Sequence, residues 1–306
     1  MYRGRFAPSP TGLAHLGTAR TALAAWLRAR REGGAFVMRI EDLDAPRVVP
    51  GAAEAMLEDL GWLGLDWDEG PDVGGPFGPY EQSARQARYE AALALLQERG
   101  QVYPCTCSRK EIASVATAPH GEEPVYPGTC RGGPRHPERA PSWRFRLDGL
   151  PAVEDAVFGR LEDGARGDFV LARADGVVSY QLAVVVDDLA MGITEVVRGQ
   201  DLLASAPRQR ALAEALVRAG WPGAPPGFLH VPLVLDAAGE RLGKRHGSLS
   251  LRALRQAGTA PETLVAELGR SLGLPVPEEA LPARALVARF EPERLGREPT
   301  RWSVRG

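Results

Sequence analysis

Apolar positions in the first third of the chain follow two alternating periods. Residues 3–8 read as a short strand. From His15 to about residue 31, Leu16, Ala19, Leu23, Trp26 and Leu27 fall on one helical face, and Gly33-Gly34 stops the run. AFVMRIEDLD (35–44) then reads as a buried strand ending in acids, and 51–60 and 84–99 as helices, the second closed by Gly100. Strand, helix, strand, helix predicts an α/β fold, a parallel sheet covered by helices.

The pattern breaks after Gly100. A Pro/Gly-rich passage from CTC (105–107) through GEEPVYPGTCRGGPRHPERAP (121–141) has no helical period and reads as an inserted module ending near Asp168. SWRFRL (142–147) and FVLARADGVVSY (169–180) predict antiparallel strands, the latter folded into a hairpin at Asp175-Gly176. YQLAVVVDDLAMG (180–192) is open between a strand, favoured by its valines, and a helix, allowed by its length and by Gly192. ITEVVRG (193–199) predicts a strand and 206–219 a helix ending at Gly220. HVPLVLDAAGERLGKRHG (230–247) reads as strand, turn and basic loop, and LRALRQAG (251–258) and PETLVAELGRSLG (261–273) as two short helices.

A composition of 44% hydrophobic and 25% charged residues in 306 supports a sizeable core and one large domain or two. The opening MYRGRFAPSP lacks the apolar core of a signal peptide, and no run of about 18 apolar residues occurs. A cytoplasmic protein with no membrane partner is expected. The formal charge of −2 means that a nucleic acid would have to meet a local basic patch. Arg284, Arg289, Arg294, Arg297, Arg301 and Arg305 are its first candidate, a solvated face being the alternative. Cys105, Cys107 and Cys130 are odd in number, with two of them one residue apart; this argues against disulfides and leaves metal binding or burial.

RFAPSPTGLAHLGT (5–18) places prolines and glycines between the first strand and the first helix. Fixed turns and bare backbone let a phosphate approach the main chain and the helix N-terminus. The dinucleotide fingerprint G-x-G-x-x-G does not fit this stretch. GERLGKR (239–245) is no P-loop either: its spacing is one residue short, and Arg245 stands where Ser or Thr would hold magnesium. As a pair, the two stretches resemble the signatures of class I aminoacyl-tRNA synthetases of the glutamyl and glutaminyl branch. His15-Leu16-Gly17-Thr18 stands at the HIGH position and RLGKR (241–245) at the KMSKS loop; RIEDLD (39–44) and VVDDLAMGITEVVRGQDLL (185–203) match the branch as whole phrases.

The resemblance implies a Rossmann-type catalytic domain in two halves, 1–100 and 168–240. A zinc-bearing, acceptor-type insert would occupy 101–167, and the KMSKS-like loop with a small helical C-terminal region 241–306. It implies that ATP, with Mg2+, is attacked at its α-phosphate by an amino-acid carboxylate, a reaction governed by positioning and charge neutralisation. His15 and Thr11 would hydrogen-bond phosphate oxygens and Gly17 would leave room for adenine. Lys244 would meet the departing phosphates as a point charge, making His15 and Lys244 the catalytic pair. Taken singly, His15 also suits a helix cap and RLGKR an exposed basic turn. Arg5, Ser9, Glu41, Tyr180 and Arg198 match the glutamate pocket. Two arginine forks suit two carboxylates and Glu41 an ammonium, with Ser9 and Tyr180 setting orientation. Which arginine takes which carboxylate stays open.

Three thiolates leave tetrahedral zinc one ligand short. In short members of this family a tyrosine four residues before the last cysteine completes the set; the matching residue is Tyr126, and His120, His136 or water are the alternatives. Three buried thiols without metal are the remaining reading. About 60 residues follow Lys244, too few for large anticodon-binding domains. That shortness resembles members that activate L-glutamate without tRNA and transfer it to the queuosine base of tRNA(Asp). The implied partners are ATP, L-glutamate and queuosine-containing tRNA(Asp), with a monomer expected. The alternatives are a truncated glutamyl- or glutaminyl-tRNA synthetase that charges a tRNA 3′ end, and a non-catalytic zinc-bearing module. Arg241 and Gly243, which depart from the second signature, are the only support for the module.

Overall fold

The computed structural model describes residues 1–115, 125–162, 164, 166–235, 239 and 250–302. Strand β1 (Arg3–Phe6) pairs in parallel with β2 (Ala35–Met38), and α1 (Leu16–Arg31) is the crossover that a parallel pair requires. All five residues of the expected α1 face are buried. So are Ala22, Ala24, Ala25 and Ala29, whose small side chains let neighbours close in on most of the helix circumference. Helices α2 (Ala52–Trp62) and α3 (Gln86–Glu98) follow. Gly100 ends the α3 region with a φ of +64°, a left-handed conformation that favours glycine.

Beyond Gly100 come β3 (Val102–Cys105), α4 (Arg109–Val115), β4 (Ser142–Phe145), β5 (Val153–Asp155), β6 (Gly159–Leu161) and β7 (Phe169–Ala172). Strands β3, β4 and β7 form an antiparallel sheet. The next elements are α5 (Tyr180–Ala190), β8 (Glu195–Gly199), α6 (Ala206–Ala219) and β9 (Gly227–Val231). Strand β5 pairs antiparallel with β6 and parallel with β9, which pairs in parallel with β8. Pairing therefore crosses residue 168 in both directions: β7 joins strands that precede it, and β5 joins strands that follow.

The segment left open by its sequence, 180–192, is helical. Ser179 Oγ accepts the Leu182 N–H at 3.4 Å and caps the first turn. From Leu182 to Leu189 every residue is buried, so enclosure by packing overrides the β-preference of Val184, Val185 and Val186. The early helix start also corrects the expected hairpin at Asp175-Gly176. Its second strand is reduced to one bridge, Ala172 to Val178, because Ser179 already opens α5.

The Thr194 N–H donates to the Arg3 carbonyl at 2.9 Å, which sets β8 beside β1. The carboxyl ends of β1, β8 and β9 thereby converge, the place where open parallel sheets form ligand crevices. Past that point lie β10 (Val234–Leu235), α7 (Leu251–Gln256), α8 (Pro261–Ser271) and β11 (Thr300–Arg301), which pairs in parallel with β10. Leu264, Val265, Leu268, Leu286 and Phe290 share one core with Leu16, Leu23 and Leu27 of α1.

Of the tail arginines, Arg284 pairs with Asp66, Arg289 with Glu278 and Arg294 with Glu291, while Arg297 donates to the Val157 carbonyl. These four engage the protein's own groups; Arg305 lies outside the described residues. Among the described residues no helix is long and apolar enough to cross a membrane.

Candidate active site

A cleft of about 730 Å³ opens at the converging strand ends. Its wall holds Arg5, Ser9, Thr11, His15, Gly17, Glu41, Tyr180 and Arg198, all the expected pocket residues except Lys244. Lys244, with Arg241 and Gly243, lies outside the described residues. The flanks of that segment do reach the cleft: Val234 lines it, and Ser250 bridges to His15, the Leu251 N–H donating to the Ala14 carbonyl at 2.8 Å.

His15 is the N-cap of α1, and its Nδ1 accepts the Thr18 N–H at 3.3 Å. With Nδ1 accepting, a neutral imidazole carries its proton on Nε2, 3.2 Å from Thr18 Oγ1. The cap and the expected catalytic role are therefore compatible, since capping fixes the ring and leaves Nε2 as the donor. The Thr11 N–H donates to the Ser9 carbonyl at 2.8 Å, a tight turn in the loop that precedes the helix.

Deeper in the cleft, charges alternate. Arg5 donates from Nε and Nη2 to the two oxygens of Asp188, at 3.2 and 3.4 Å, and from Nη1 to the Val197 carbonyl at 3.1 Å. Arg39 donates to Asp188 at 2.8 Å and to Glu41 at 3.3 Å. Burial pushes the Asp188 carboxyl up, but Arg5 and Arg39 outweigh it and hold the pKa below the usual carboxylate range. Burial raises the Glu41 pKa more than Arg39 and Arg5 lower it, which primes this acid for a cationic partner. Below them Asp187 accepts from Arg85 at 2.6 Å, Gln82 at 2.9 Å and the Tyr89 hydroxyl at 2.9 Å.

Arg198, at the end of β8, donates to His230 Nε2 at 2.9 Å, Gln209 Oε1 at 2.5 Å and the Leu202 carbonyl at 3.1 Å. Burial lowers its pKa and raises that of the Tyr180 phenol, which stays a neutral hydroxyl at the start of α5. Two guanidiniums, one acid and two hydroxyls thus face a single space beside a helix N-terminus. Such a set fits a ligand with two carboxylates and an ammonium next to a phosphate chain.

On the insert, the Sγ atoms of Cys105, Cys107 and Cys130 lie within 4.8 Å of one another, with Cys107 and Cys130 3.6 Å apart. Tetrahedral zinc with bonds of about 2.3 Å sets its sulfurs about 3.8 Å apart, so the spacing fits that ion. The Tyr126 hydroxyl lies 3.2 Å from Cys105 Sγ and 3.6 Å from Cys107 Sγ, and accepts the Cys130 N–H at 3.0 Å. Of the alternative ligands, His136 Nε2 contacts Glu111 at 2.7 Å, and His120 lies outside the described residues. Burial raises the Cys130 pKa, but N–H donors, including Arg135 at 3.4 Å, outweigh it and bring the thiol to about 6. One thiolate of the set is therefore accessible near neutral pH, whereas burial pushes the Cys107 thiol up to about 11, so that a metal would have to displace its proton.

Residues 1–293 match the family described as tRNA synthetases class I (E and Q), catalytic domain. The chain belongs to that family. This synthetase chain is 53% identical to the glutamyl-Q tRNA(Asp) synthetase of Symbiobacterium thermophilum, over 98% of its own length and 96% of the relative's. Against the protein of that name from Deinococcus radiodurans the identity is 50%, over 90% and 92% of the two chains. Among solved structures, the glutamate-tRNA synthetase of Elizabethkingia anophelis aligns with a TM-score of 0.85 at 29% identity, covering 99% of this chain and 68% of that one.

The residues that sequence reasoning passed over in this class I synthetase are Asp188, Arg39, His230, Asp155 and Gln209. Arg39 and Asp188 stand inside the two matched phrases, and Arg39 is completely buried, yet no spacing rule places an arginine of β2's end against an acid of α5. His230 opens the stretch read as strand, turn and basic loop, at its strand end.

Proposed function

We propose that this class I synthetase activates L-glutamate with ATP and Mg2+, without tRNA, and transfers the glutamyl group to the queuosine base of tRNA(Asp). The observation that carries the reading is the convergence of Arg5, Glu41 and Arg198 on the cleft that also holds His15 and Thr11. Relatives named glutamyl-Q tRNA(Asp) synthetase, aligned over most of both chains, support the acceptor.

In this reading the glutamate carboxylates lie against Arg5 and Arg198, Glu41 takes the ammonium, and Ser9 and Tyr180 fix the orientation. The α-carboxylate attacks the α-phosphorus and pyrophosphate leaves. His15, through its Nε2 proton, and Thr11 donate to phosphate oxygens as charge builds there, Gly17 leaves the adenine room, and Lys244 meets the departing pyrophosphate. Mg2+ supplies charge neutralisation on the phosphates of ATP. Cys105, Cys107 and Cys130, with Tyr126 as fourth ligand, would hold one structural zinc in the insert. The acceptor base has to leave its stack to reach the cleft. The enzyme acts as a cytoplasmic monomer, with α7 and α8 as its small C-terminal helical region.

ATP–pyrophosphate exchange tests the reading. Exchange that depends on glutamate and proceeds in the absence of tRNA is expected. Exchange that appears only after tRNA is added would overturn the tRNA-independent step, and none with any amino acid would favour the non-catalytic module.

A further inference from the structure

The Arg198 guanidinium donates to uncharged groups: His230 Nε2, Gln209 Oε1 and the Leu202 carbonyl, with the Tyr180 hydroxyl also against it. One of them is a histidine, and this fixes a tautomer. A guanidinium only donates, so His230 Nε2 presents a lone pair and the neutral ring keeps its proton on Nδ1. Nδ1 lies 2.6 Å from Asp155 Oδ2. Asp155 is itself pinned by the backbone N–H groups of Val157, Phe158 and His230, at 3.0, 2.9 and 3.1 Å. Neither side chain has any exposed surface, and the imidazole stacks on Phe228 with an interplanar angle of 11°. On the opposite side Gln209 cannot turn its amide, because its Nε2 donates to Gln181 Oε1 at 2.8 Å.

We propose that Asp155 and His230 are positioning residues that aim Arg198 into the glutamate pocket, and that protonation of His230 loosens glutamate binding. Asp155 holds the tautomer, and the tautomer supplies the acceptor for Arg198 Nε. A proton on Nε2 removes that acceptor and sets a cation against the guanidinium. The charged groups acting on the ring are Asp155 on β5, Arg198 on β8 and, farther off, Arg5 on β1. Burial first, and then Arg198 and Arg5, hold the His230 pKa below its usual 6.5 against the pull of Asp155. The acceptor is therefore present at neutral pH and is lost only as the pH falls through a folded pKa that lies below 6.5. The proposal rests on the reading of Arg198 as a glutamate-binding residue.

The test is glutamate-dependent pyrophosphate exchange by the full chain from about pH 5.5 to 8, for the wild type, His230→Ala, His230→Gln and Asp155→Asn. His230→Ala is expected to raise the glutamate KM about 10- to 100-fold, the worth of one hydrogen bond to a charged group, with the ATP KM unchanged. His230→Gln, whose Oε1 can accept from Arg198, is expected to restore most of that loss. It should also abolish the rise in glutamate KM that the wild type shows in acid. Asp155→Asn should shift that acid rise. A glutamate KM for His230→Ala equal to the wild type's, equal losses in the ATP and glutamate KM, or an acid rise that persists in His230→Gln would overturn the proposal. Should His230→Ala fail to fold, the pH profiles of the Gln and Asn variants decide alone. Wild-type protein without glutamate-dependent exchange at any pH overturns the glutamate reading itself; wild-type exchange with unshifted variants overturns only the positioning role.

Discussion

Asp188 holds Arg5 and Arg39 at once, its Oδ1 lying 3.2 Å from Arg5 Nε and 2.8 Å from Arg39 Nη1. The three side chains come from β1, the end of β2 and α5, and all are buried, so the carboxylate ties the β1–β2 pair to α5 beneath the cleft. Replacing Asp188 with Ala leaves two buried guanidiniums facing each other without their shared acceptor. The expected loss is about 3–5 kcal/mol in urea unfolding, with a raised glutamate KM in whatever folds. A midpoint equal to the wild type's would show that water or Glu41 replaces the carboxylate.

On the proposed reading, Arg198→Ala removes the guanidinium that takes one of the glutamate carboxylates at the cleft wall. Glutamate KM should rise by about two orders of magnitude with the ATP KM within about twofold. Steady-state exchange kinetics separate the two. A loss confined to kcat would place Arg198 on the phosphates instead of the amino acid.

The site was more legible than its support. Arg5, Ser9, Thr11, His15, Gly17, Glu41, Tyr180 and Arg198 stand in motifs dense enough to be read, and the structure gathers them around one cleft. Asp188, Arg39, Asp155 and His230 were not read. Their contacts join residues 149, 183 and 75 positions apart, and no periodicity encodes such pairs. The same limit applies to the sheets. Local pattern predicted β1, α1, α6 and α8 well, while the pairing of β5 with β9 and of β7 with β4 depends on how distant segments pack. The helix at 180–190 was ambiguous because valine preference and helical capping conflict within one segment.

Removing one thiolate should empty the insert of metal. Protein purified without chelator is expected to carry about one zinc per chain by atomic absorption, and Cys130→Ser far less. Tyr126→Phe should retain zinc but lose it faster to a chelator. Because ligands must deprotonate, zinc affinity should fall as the pH drops across the whole neutral range, where Cys107, pushed up to about 11, takes up its proton, and more steeply near the Cys130 value of about 6. Metal-free wild-type protein with unchanged thermal stability would point to three plain buried thiols.

Asp168 anchors the loop that follows Cys130. It accepts twice from Arg131, at 2.6 Å each, from the Tyr103 hydroxyl at 2.6 Å and from the Leu147 N–H at 2.9 Å. Burial raises its pKa, but these donors outweigh it and hold the group below its usual 3.8. A depressed carboxyl stabilises the fold above its unfolded pKa and loses that contribution as the pH falls through the folded value. Asp168→Asn should cost about 2 kcal/mol at neutral pH and flatten the acid side of the stability curve. Parallel curves for the two proteins below pH 4 would contradict this assignment.

The central claim concerns where the glutamyl group goes. The protein is incubated with ATP, radiolabelled glutamate and queuosine-containing tRNA(Asp), the tRNA is digested with nuclease, and the labelled nucleoside is identified. Label on queuosine is the predicted result. Label on the terminal adenosine would contradict it and make this a short conventional synthetase that charges the tRNA 3′ end.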